Sequence, residues 1–147
     1  MVFNKILIAT DGSEYAKLAT RDAIELAKLS GGEVTAIFVI DQTMFANIPK
    51  DIAMTSIHQT LEKEAQATLA AVRELGDEHG IKVKLEIMDG SPAKVIVDKS
   101  KEFDIVVMGS LGKTGMTRLL VGSVAEKVLR AAQCRVMIVK SCVLDKE

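Results

Sequence analysis

The sequence predicts a doubly wound α/β domain, in which a five-stranded parallel sheet carries helices on both faces. Short apolar runs alternate with amphipathic helical stretches along the whole chain, in the order βαβαβαβαβ. Most of these runs are apolar on both faces, which is typical of parallel strands covered by crossover helices. The length of 147 residues is that of one domain, and no linker or repeat divides it. We therefore expect residues 1–147 to form a single domain with strand order 3-2-1-4-5.

The first βαβ unit has clear boundaries. Residues 3–10 (FNKILIAT) form an apolar, β-branched run that ends at the turn signal Asp11-Gly12. Ser13 is expected to cap a helix that ends at Gly31-Gly32. Residues 33–41 (EVTAIFVID) then predict a second buried strand.

The middle of the chain begins with a polar, Met-containing segment, 42–50. We expect the stretch 42–54 (QTMFANIPKDIAM) to be a mobile lid, although Met44, Phe45 and Met54 could equally be core contacts. A long helix is predicted from Pro49, a favourable first helical residue, to Gly80. Residues 81–89 alternate apolar and charged side chains, which is typical of an edge strand. Ser91 and Pro92 predict the start of a helix over 91–102.

The last third contains two strands and a helix. Residues 104–109 (DIVVMG) predict a buried strand, and 135–139 (RVMIV) a final one. Between them, Ser123 and Glu126 match the capping box of a helix over 123–133.

The connection between residues 109 and 123 is longer and richer in glycine than a plain strand-to-helix loop requires. Glycine lets an anion approach the backbone closely, and Gly122-Ser123 places bare N–H groups at a helix N-terminus. Hydroxyl and cationic side chains add further donors. The residues concerned are Gly109, Ser110, Gly112, Lys113, Thr114, Gly115, Arg118, Gly122 and Ser123. Together they indicate a polyphosphate-binding loop.

Two familiar phosphate motifs are excluded, and one simpler interpretation stays open. A Walker A loop requires glycine at the position of Val107, and the dinucleotide motif GxGxxG is absent. The glycines could instead serve only turns, with Ser123 acting only as a helix cap.

The spacing Gly109, Gly112, Gly122-Ser123 is the pattern G-x2-G-x9-G-[ST] of the ATP-binding branch of the universal stress protein family. The surrounding sequence MGSLGKTGMTRLLVGSVAEKVLR resembles the family signature almost throughout, and KILIATDGSE resembles its first strand and acidic turn. The resemblance covers residues 3–140.

The resemblance implies an adenine-nucleotide site on specific residues. In members that hold ATP, the backbone at Val39 meets the adenine edge, and the turn Ala9-Thr10-Asp11 lies beside the adenosine. Met108 and Gly109 pack near the ribose. The phosphates are held by the backbone and hydroxyl groups of Gly112, Gly122, Ser123 and Val124. Many members carry a polar residue at Leu111 and His at Phe38, so this chain departs from the pattern there.

Composition narrows the remaining function classes. With 19 basic and 20 acidic residues the net charge is -1, and aromatic residues make up 3%, so we expect no nucleic-acid partner. No signal peptide or spanning segment is recognisable, which predicts a cytoplasmic protein without a membrane partner. Cys134 and Cys142 lack metal-site spacing and are expected to be reduced thiols.

No catalytic constellation is recognisable in the sequence. His58 and His79 fall in the long second helix, away from the predicted site. Asp11 is the one carboxylate expected there, as a turn cap, a nucleotide contact or a water-mediated metal ligand, and we favour the contact. Mg²⁺ or Mn²⁺ would be held mainly by the phosphates, since Mg²⁺ needs few protein ligands. We therefore predict an ATP-binding protein that regulates unknown protein partners.

Two alternatives are retained. The first is a slow ATP hydrolase or phosphotransferase that uses Asp11 and Lys113. The second is a dimeric scaffold that needs no ligand. A homodimer is expected in any case, because strand 135–139 leaves an apolar sheet edge, and similar family proteins pair this strand with its twofold mate.

Overall fold

A computed structural model describes residues 2–45, 52–111 and 121–140 of the chain. The elements follow the predicted alternation of strands and helices. They are β1 (Lys5–Ala9), α1 (Glu14–Ser30), β2 (Glu33–Asp41), a 3-10 turn (Gln42–Phe45), α2 (Ile52–Glu78), β3 (Val83–Gly90), α3 (Pro92–Ser100), β4 (Ile105–Gly109), α4 (Ser123–Ala131) and β5 (Arg135–Val139).

The five strands form one parallel sheet in the order β3-β2-β1-β4-β5, which confirms the predicted fold class and strand order. The first strand of the chain therefore lies at the centre. Ile8 is in register with Ala36 of β2 on one side and with Val107 of β4 on the other.

Two hydrophobic layers enclose the sheet. On one face, Ile6 and Ile8 pack against buried residues of α1 and α2, such as Ile24 and Leu69. On the other face, Leu7 and Val106 pack against α3 and α4. Because both faces are covered, the central strands are continuously apolar rather than alternating. Full burial of each such side chain contributes about 1.5–3 kcal/mol to folding.

The ends of α1 are those that the sequence predicts. The hydroxyl of Ser13 accepts a hydrogen bond from the Ala16 N–H at 3.2 Å. At the other end, Gly31 adopts φ 73 and donates its N–H to the Ala27 carbonyl at 2.8 Å. A left-handed residue here favours glycine because a Cβ would crowd the next carbonyl.

β3 is an edge strand, as predicted, although it begins at Val83 rather than at residue 81. Val83 and Leu85 face the α2 layer, whereas Ile87, on the same face, is 36% exposed. The charged face is not simply solvated, because Glu86 pairs with Lys99 of α3 at 3.1 Å. That ion pair joins the edge of the sheet to its covering helix.

The predicted capping box at the start of α4 is wrong. Gly122 is the N-cap residue and Ser123 is already the first helical residue, because the Glu126 N–H bonds the Gly122 carbonyl at 2.9 Å. The Glu126 carboxylate accepts a hydrogen bond from Arg130 at 2.9 Å, so it is drawn towards the helix C-terminus. Ser91 does occupy the N-cap of α3, but its side chain makes no capping bond within the described residues.

Several predictions fall wholly or partly outside the described residues. Of the predicted lid 42–54, the 3-10 turn at its start and the first residues of α2, from Ile52, are described, and Pro49 lies outside the described residues. Gly112 and Lys113, with the rest of residues 112–120, lie outside as well.

The helices predicted to end at residues 102 and 133 end at Ser100 and Ala131.

Within the ranges 2–45, 52–111 and 121–140, no helix has the length and apolar character that crossing a bilayer requires.

Candidate functional site

The carboxyl ends of the three inner strands meet along one edge of the sheet, and most of the predicted site residues lie there. Pairing of β1 with β2 runs to Ala9 opposite Ile37, and β4 ends at Gly109. Thr10 follows directly and donates its N–H to the Ile37 carbonyl at 3.1 Å. In open parallel sheets this edge is where ligands bind.

The turn after β1 is held by its own side chains. The Asp11 carboxylate accepts a hydrogen bond from the Ser13 N–H at 2.9 Å, and the Thr10 hydroxyl accepts one from the Gly12 N–H at 3.2 Å. Gly12 has φ +82, and a Cβ there would lie 2.9 Å from the Thr68 hydroxyl of α2. Of the three roles considered for Asp11, this geometry shows the turn cap.

β2 continues beyond the end of β1 and presents backbone at the edge. The Ile37 carbonyl points towards β1, because it accepts from Thr10. Along a strand the N–H and C=O groups of one residue point to one side, and the side alternates with each residue. The N–H and C=O of Val39 therefore also point to the β1 side, where β1 has already turned away. The end of β2 therefore offers one backbone donor and one backbone acceptor, both from Val39, on the side that β1 has left.

The end of β4 is packed tightly against α1. A Cβ at Gly109 would lie 2.7 Å from the backbone carbon of Tyr15, so glycine is required by helix packing rather than by the loop that follows. Met108 is buried in the layer of α3 and α4. Ser110 is 3% exposed and donates its N–H to the Val139 carbonyl of β5 at 2.9 Å.

The N-terminus of α4 lies beside this strand end. Gly122 donates its N–H to the Ser110 carbonyl at 2.6 Å, which brings the two ends of the glycine-rich connection together. No side chain in the described part of the chain caps this helix, in contrast to α1, which Ser13 caps. Ser123 is exposed and Val124 is half-buried. The partial positive charge of a helix N-terminus favours an anion at such a position.

The two histidines occupy different surroundings. His79, at the end of α2, contacts the Leu75 carbonyl through Nδ1 at 3.0 Å, which is a structural role. His58 lies closer to the site than predicted, because its Nε2 is 2.9 Å from the Asp89 carboxylate at the carboxyl end of β3. That pair flanks β2, since Asp89 is in register with Ile40.

Metal-binding and thiol groups are sparse in the described segments. Within them, no three His, Cys, Asp or Glu side chains are arranged so that they could hold a metal ion. Cys134 is a half-buried free thiol, and burial raises its pKa above the ordinary value.

The structure thus places ten of the predicted site residues at one edge of the sheet. They are Ala9, Thr10, Asp11, Val39, Met108, Gly109, Ser110, Gly122, Ser123 and Val124. Sequence reasoning missed the neighbours that fix this edge, namely Tyr15 against Gly109, Thr68 against Gly12 and Val139 against Ser110. No local signal marks such contacts, because each joins residues that are distant along the chain.

The two departures from the family pattern are both buried. Phe38 is 5% exposed and lies in the α1–α2 layer, so it belongs to the core. Leu111 is 7% exposed, and its side chain lies near the position that a Cβ on Gly122 would take. Apolar groups therefore occupy both positions.

Comparison with known proteins identifies the family. The model of the universal stress protein family matches residues 3–140. This chain belongs to the universal stress protein family. Universal stress protein MJ0531 of Methanocaldococcus jannaschii is 40% identical over 141 residues, which cover 95% of this chain and 83% of that protein.

Solved structures of universal stress proteins and related chains share the fold. The hypothetical protein MJ0577 superposes with a TM-score of 0.84 at 31% identity, covering 95% of this chain and 97% of that one. Two more distant universal stress proteins have been solved in complexes. One holds cAMP (TM-score 0.74, 20% identity), and the other, from Archaeoglobus fulgidus, holds dAMP (TM-score 0.68, 24% identity). At these identities the likeness to this chain is one of fold.

Proposed function

We propose that this universal stress protein binds ATP at the carboxyl edge of its sheet and acts as a nucleotide-dependent regulatory protein in the stress response. The observation that carries the proposal is the N-terminus of α4. Its N-cap residue, Gly122, lies beside the end of β4, and no side chain within the described residues caps it.

The phosphates are assigned to this N-terminus. The amides of Ser123 and Val124 and the Ser123 hydroxyl supply donors, and the helix dipole supplies a favourable field. Gly122 adds no side chain at the point where its backbone bonds Ser110. The Glu126 carboxylate, which would repel a phosphate, is instead bound to Arg130 at 2.9 Å.

The adenosine is assigned to the ends of β1, β2 and β4. The N–H and C=O of Val39 match the acceptor and donor on the edge of adenine, as the family resemblance implies. Ala9, Thr10 and Asp11 flank the adenosine from one side, and Met108 and Gly109 flank the ribose. That the same fold holds cAMP and dAMP in two other universal stress proteins is consistent with this assignment.

Gly112, which the sequence motif contains, and Lys113, a cation in the same loop, complete the phosphate site in this proposal. Mg²⁺ or Mn²⁺ would be bound mainly through the phosphate oxygens, because Mg²⁺ keeps several waters and needs few protein ligands. A cytoplasmic location, where thiols stay reduced, is compatible with the free thiol of Cys134.

Isothermal titration calorimetry with ATP in the presence of Mg²⁺ tests the proposal directly. We expect saturable binding of one nucleotide per chain, with ADP and AMP titrated in parallel to rank their affinities. Mass spectrometry of any nucleotide released from purified, undialysed protein gives an independent identification. Absence of binding heat for all three nucleotides, together with an empty protein preparation, contradicts the proposal.

We infer that the protein binds ATP without appreciable turnover. The Asp11 carboxylate already accepts the Ser13 N–H, and a slow hydrolase would have to use it together with Lys113. Measuring phosphate release from purified protein separates the two functions. Release above the buffer rate that is lost in Asp11→Ala, with binding retained, would favour the hydrolase.

We also propose a homodimer through β5. Ser110 donates to the Val139 carbonyl, so the backbone groups of Val139 face β4, and by alternation those of Val136 and Ile138 face the open edge. A twofold axis at Met137 would pair Val136 with the partner's Ile138 in antiparallel fashion. The half-buried apolar side chains of this strand would then be covered.

Replacing Ile138 with proline tests this dimer. The substitution removes an outward N–H and no bond to β4, so we expect a folded monomer in sedimentation equilibrium. Leu29→Lys is the control, because Leu29 is 83% exposed at the far end of α1 and its loss should leave the dimer intact. A monomeric wild-type protein at micromolar concentration contradicts the proposal.

A further inference from the structure

We propose that Tyr15 is a further nucleotide-binding residue. Its ring covers the ribose and α-phosphate of the bound nucleotide from the α1 side, and its hydroxyl donates a hydrogen bond to an oxygen of that part of the ligand. This inference rests on the proposed function and adds a residue to the same site. Tyr15 belongs neither to the glycine motif nor to the site residues that the family resemblance implies.

Tyr15 lies over the end of β4. A Cβ built on Gly109 would lie 2.7 Å from the Tyr15 Cβ, so the Tyr15 side chain starts at the strand end to which the ribose is assigned. Leu18 lies one turn later on the same side of α1. It is 5% exposed and packs in the layer that contains Val107 of β4. This side of α1 therefore faces β4, and Tyr15 is at its end nearest the proposed site.

The place of Tyr15 in its helix determines the direction in which its side chain extends. In an α-helix the Cα–Cβ bonds tilt towards the N-terminus, and a long side chain covers the turn that precedes its own Cα. α1 begins at Glu14, so the turn that precedes Tyr15 is the one that Asp11 closes at the carboxyl edge of the sheet. The Tyr15 ring is therefore directed past the end of the helix, towards the edge to which the adenosine is assigned.

The two neighbours of Tyr15 in the first turn of α1 have other roles. Glu14 is exposed, and its carboxylate pairs with Lys17 at 3.3 Å, on the side of the helix C-terminus. Ala16 is 3% exposed and faces the core. Of these three consecutive residues, Tyr15 is the one that lies over the strand end.

The chemistry of Tyr15 suits a ligand that is part apolar and part polar. The residue is half-buried, and its hydroxyl makes no hydrogen bond in the described part of the chain. A tyrosine hydroxyl usually finds a partner once it is buried. Small-molecule sites typically combine aromatic surface with a few polar groups that fix the orientation of the ligand. A nucleotide that covers Tyr15 would supply the acceptor for this hydroxyl.

The substitution Tyr15→Phe removes the hydroxyl and keeps the ring. We expect the dissociation constant for ATP, measured by calorimetry, to rise about two- to tenfold, which is the effect of losing one neutral hydrogen bond. ADP and AMP should lose affinity by the same factor, because all three nucleotides share the ribose and the α-phosphate. Urea unfolding of the variant without nucleotide should match the wild type, since the hydroxyl has no partner among the described residues. A merely structural role for Tyr15 predicts no change in affinity.

Tyrosine fluorescence provides a second arm that needs no variant at the site. The chain contains one tyrosine and no tryptophan, so the emission of the wild type reports on Tyr15 alone. Saturating ATP should change this emission, with the dissociation constant that calorimetry gives. The control is the double variant Phe3→Tyr, Tyr15→Phe. Its only tyrosine lies before β1, at the opposite edge of the sheet, where ATP should leave the emission unchanged.

Equal ATP affinity of the wild type and Tyr15→Phe overturns the role of Tyr15. An emission that ATP changes no more in the wild type than in the double variant overturns it as well. Either result leaves the proposed function standing, because ATP is still bound. Failure of the wild type to bind any adenine nucleotide instead overturns the proposed function, and the role of Tyr15 with it.

Discussion

Gly109 and Gly122 belong to one sequence motif, but different neighbours require them to be glycine. At Gly109 the backbone of Tyr15 leaves no room for a Cβ. At Gly122 the backbone has ordinary extended angles (φ -63, ψ 161), and a Cβ would lie 3.1 Å from the Ser110 carbonyl oxygen. The first glycine is therefore required by the contact between β4 and α1, whereas at the second a Cβ would crowd the Ser110 carbonyl. In the proposed function, Gly122 also leaves the start of α4 open to the phosphates.

The substitution Gly109→Ala should destabilise the protein whether or not nucleotide is present. The added methyl group would lie 2.7 Å from two atoms of Tyr15, so β4 and α1 would have to separate. Overpacking of this kind costs about 1–3 kcal/mol. Urea unfolding, followed by circular dichroism, measures the change in free energy. A free energy of unfolding equal to that of the wild type would show that Gly109 is not constrained by packing.

The substitution Gly122→Val should lower ATP affinity about tenfold or more, because valine places bulk against the proposed phosphates. Loss of a favourable N-cap residue adds about 1 kcal/mol of destabilisation. Gly80→Ala is the matched control, since Gly80 has φ +71 and no neighbour within 4 Å. It should cost a similar 1–2 kcal/mol through backbone strain alone and leave ATP affinity unchanged. If Gly122→Val binds ATP normally, or retains function without it, the ligand-independent scaffold is the better description.

At the level of residues, the sequence predicted residues that the structure brings together at one edge of the sheet, but not all of the hydrogen bonds among them. Glycine spacing and the ends of apolar runs indicated this carboxyl edge as the candidate site. The Ser123–Glu126 box was wrong because the N-cap is Gly122, one residue earlier, whose carbonyl accepts the Glu126 N–H. The approach of His58 to Asp89 depends on how α2 lies across β3, and that packing has no signature in either segment.

At the level of elements, the two helices that begin at the carboxyl edge, α1 and α4, differ in whether a side chain caps the N-terminus. α1 starts with the Ser13 hydroxyl bonded to Ala16, and the turn before it is closed by Asp11. α4 starts without a capping side chain among the described residues. Capping groups compete with a ligand for the same amides, so of the two helices α4 is the one suited to bind an anion.

Alanine substitutions at the two serines should separate stability from binding. Ser13→Ala removes a capping bond and should lower the free energy of unfolding by about 1 kcal/mol. Ser123→Ala removes an exposed hydroxyl that caps no helix within the described residues and should change stability by less than about 0.5 kcal/mol. ATP affinity should respond in the reverse order, falling in Ser123→Ala and staying near wild type in Ser13→Ala. Thermal unfolding and calorimetry on the same preparations measure both, and parallel losses would contradict the distinction.

The elements themselves were predictable because pattern and capping agree along most of the chain. α1 and β2 match the predicted ranges closely, since Gly31 ends the helix and a continuous apolar run follows. Boundaries failed where tertiary contacts decide them. α3 stops at Ser100, whose buried hydroxyl bonds Val97 and accepts the N–H of Gln133. Gln133 follows α4 in the chain, so the sequence around α3 contains no signal for this hydrogen bond.

At the level of the whole molecule, the pH dependence of stability should carry a contribution from Cys134. Burial raises the pKa of this thiol, so folding favours its neutral form. The stabilisation is complete below the unfolded pKa of about 8.5 and is lost as pH rises through the higher folded pKa. The difference in free energy of unfolding between the wild type and Cys134→Ser should therefore shrink as pH rises above about 8.5. A difference that stays constant over this range would contradict the assignment.

The strand order also determines what a growing chain is able to bury. β1 is synthesised first, yet Ile6 lies opposite Val34 on one side and Ile105 on the other. When only the segment up to β3 has left the ribosome, the edge of β1 that pairs with β4 has no partner. Leu7 also lacks α3 and α4, the helices that cover it in the folded protein. The nascent polypeptide must wait for its final third before the central strand is sealed. Chaperone contact during translation should accordingly persist until β4 has left the exit tunnel.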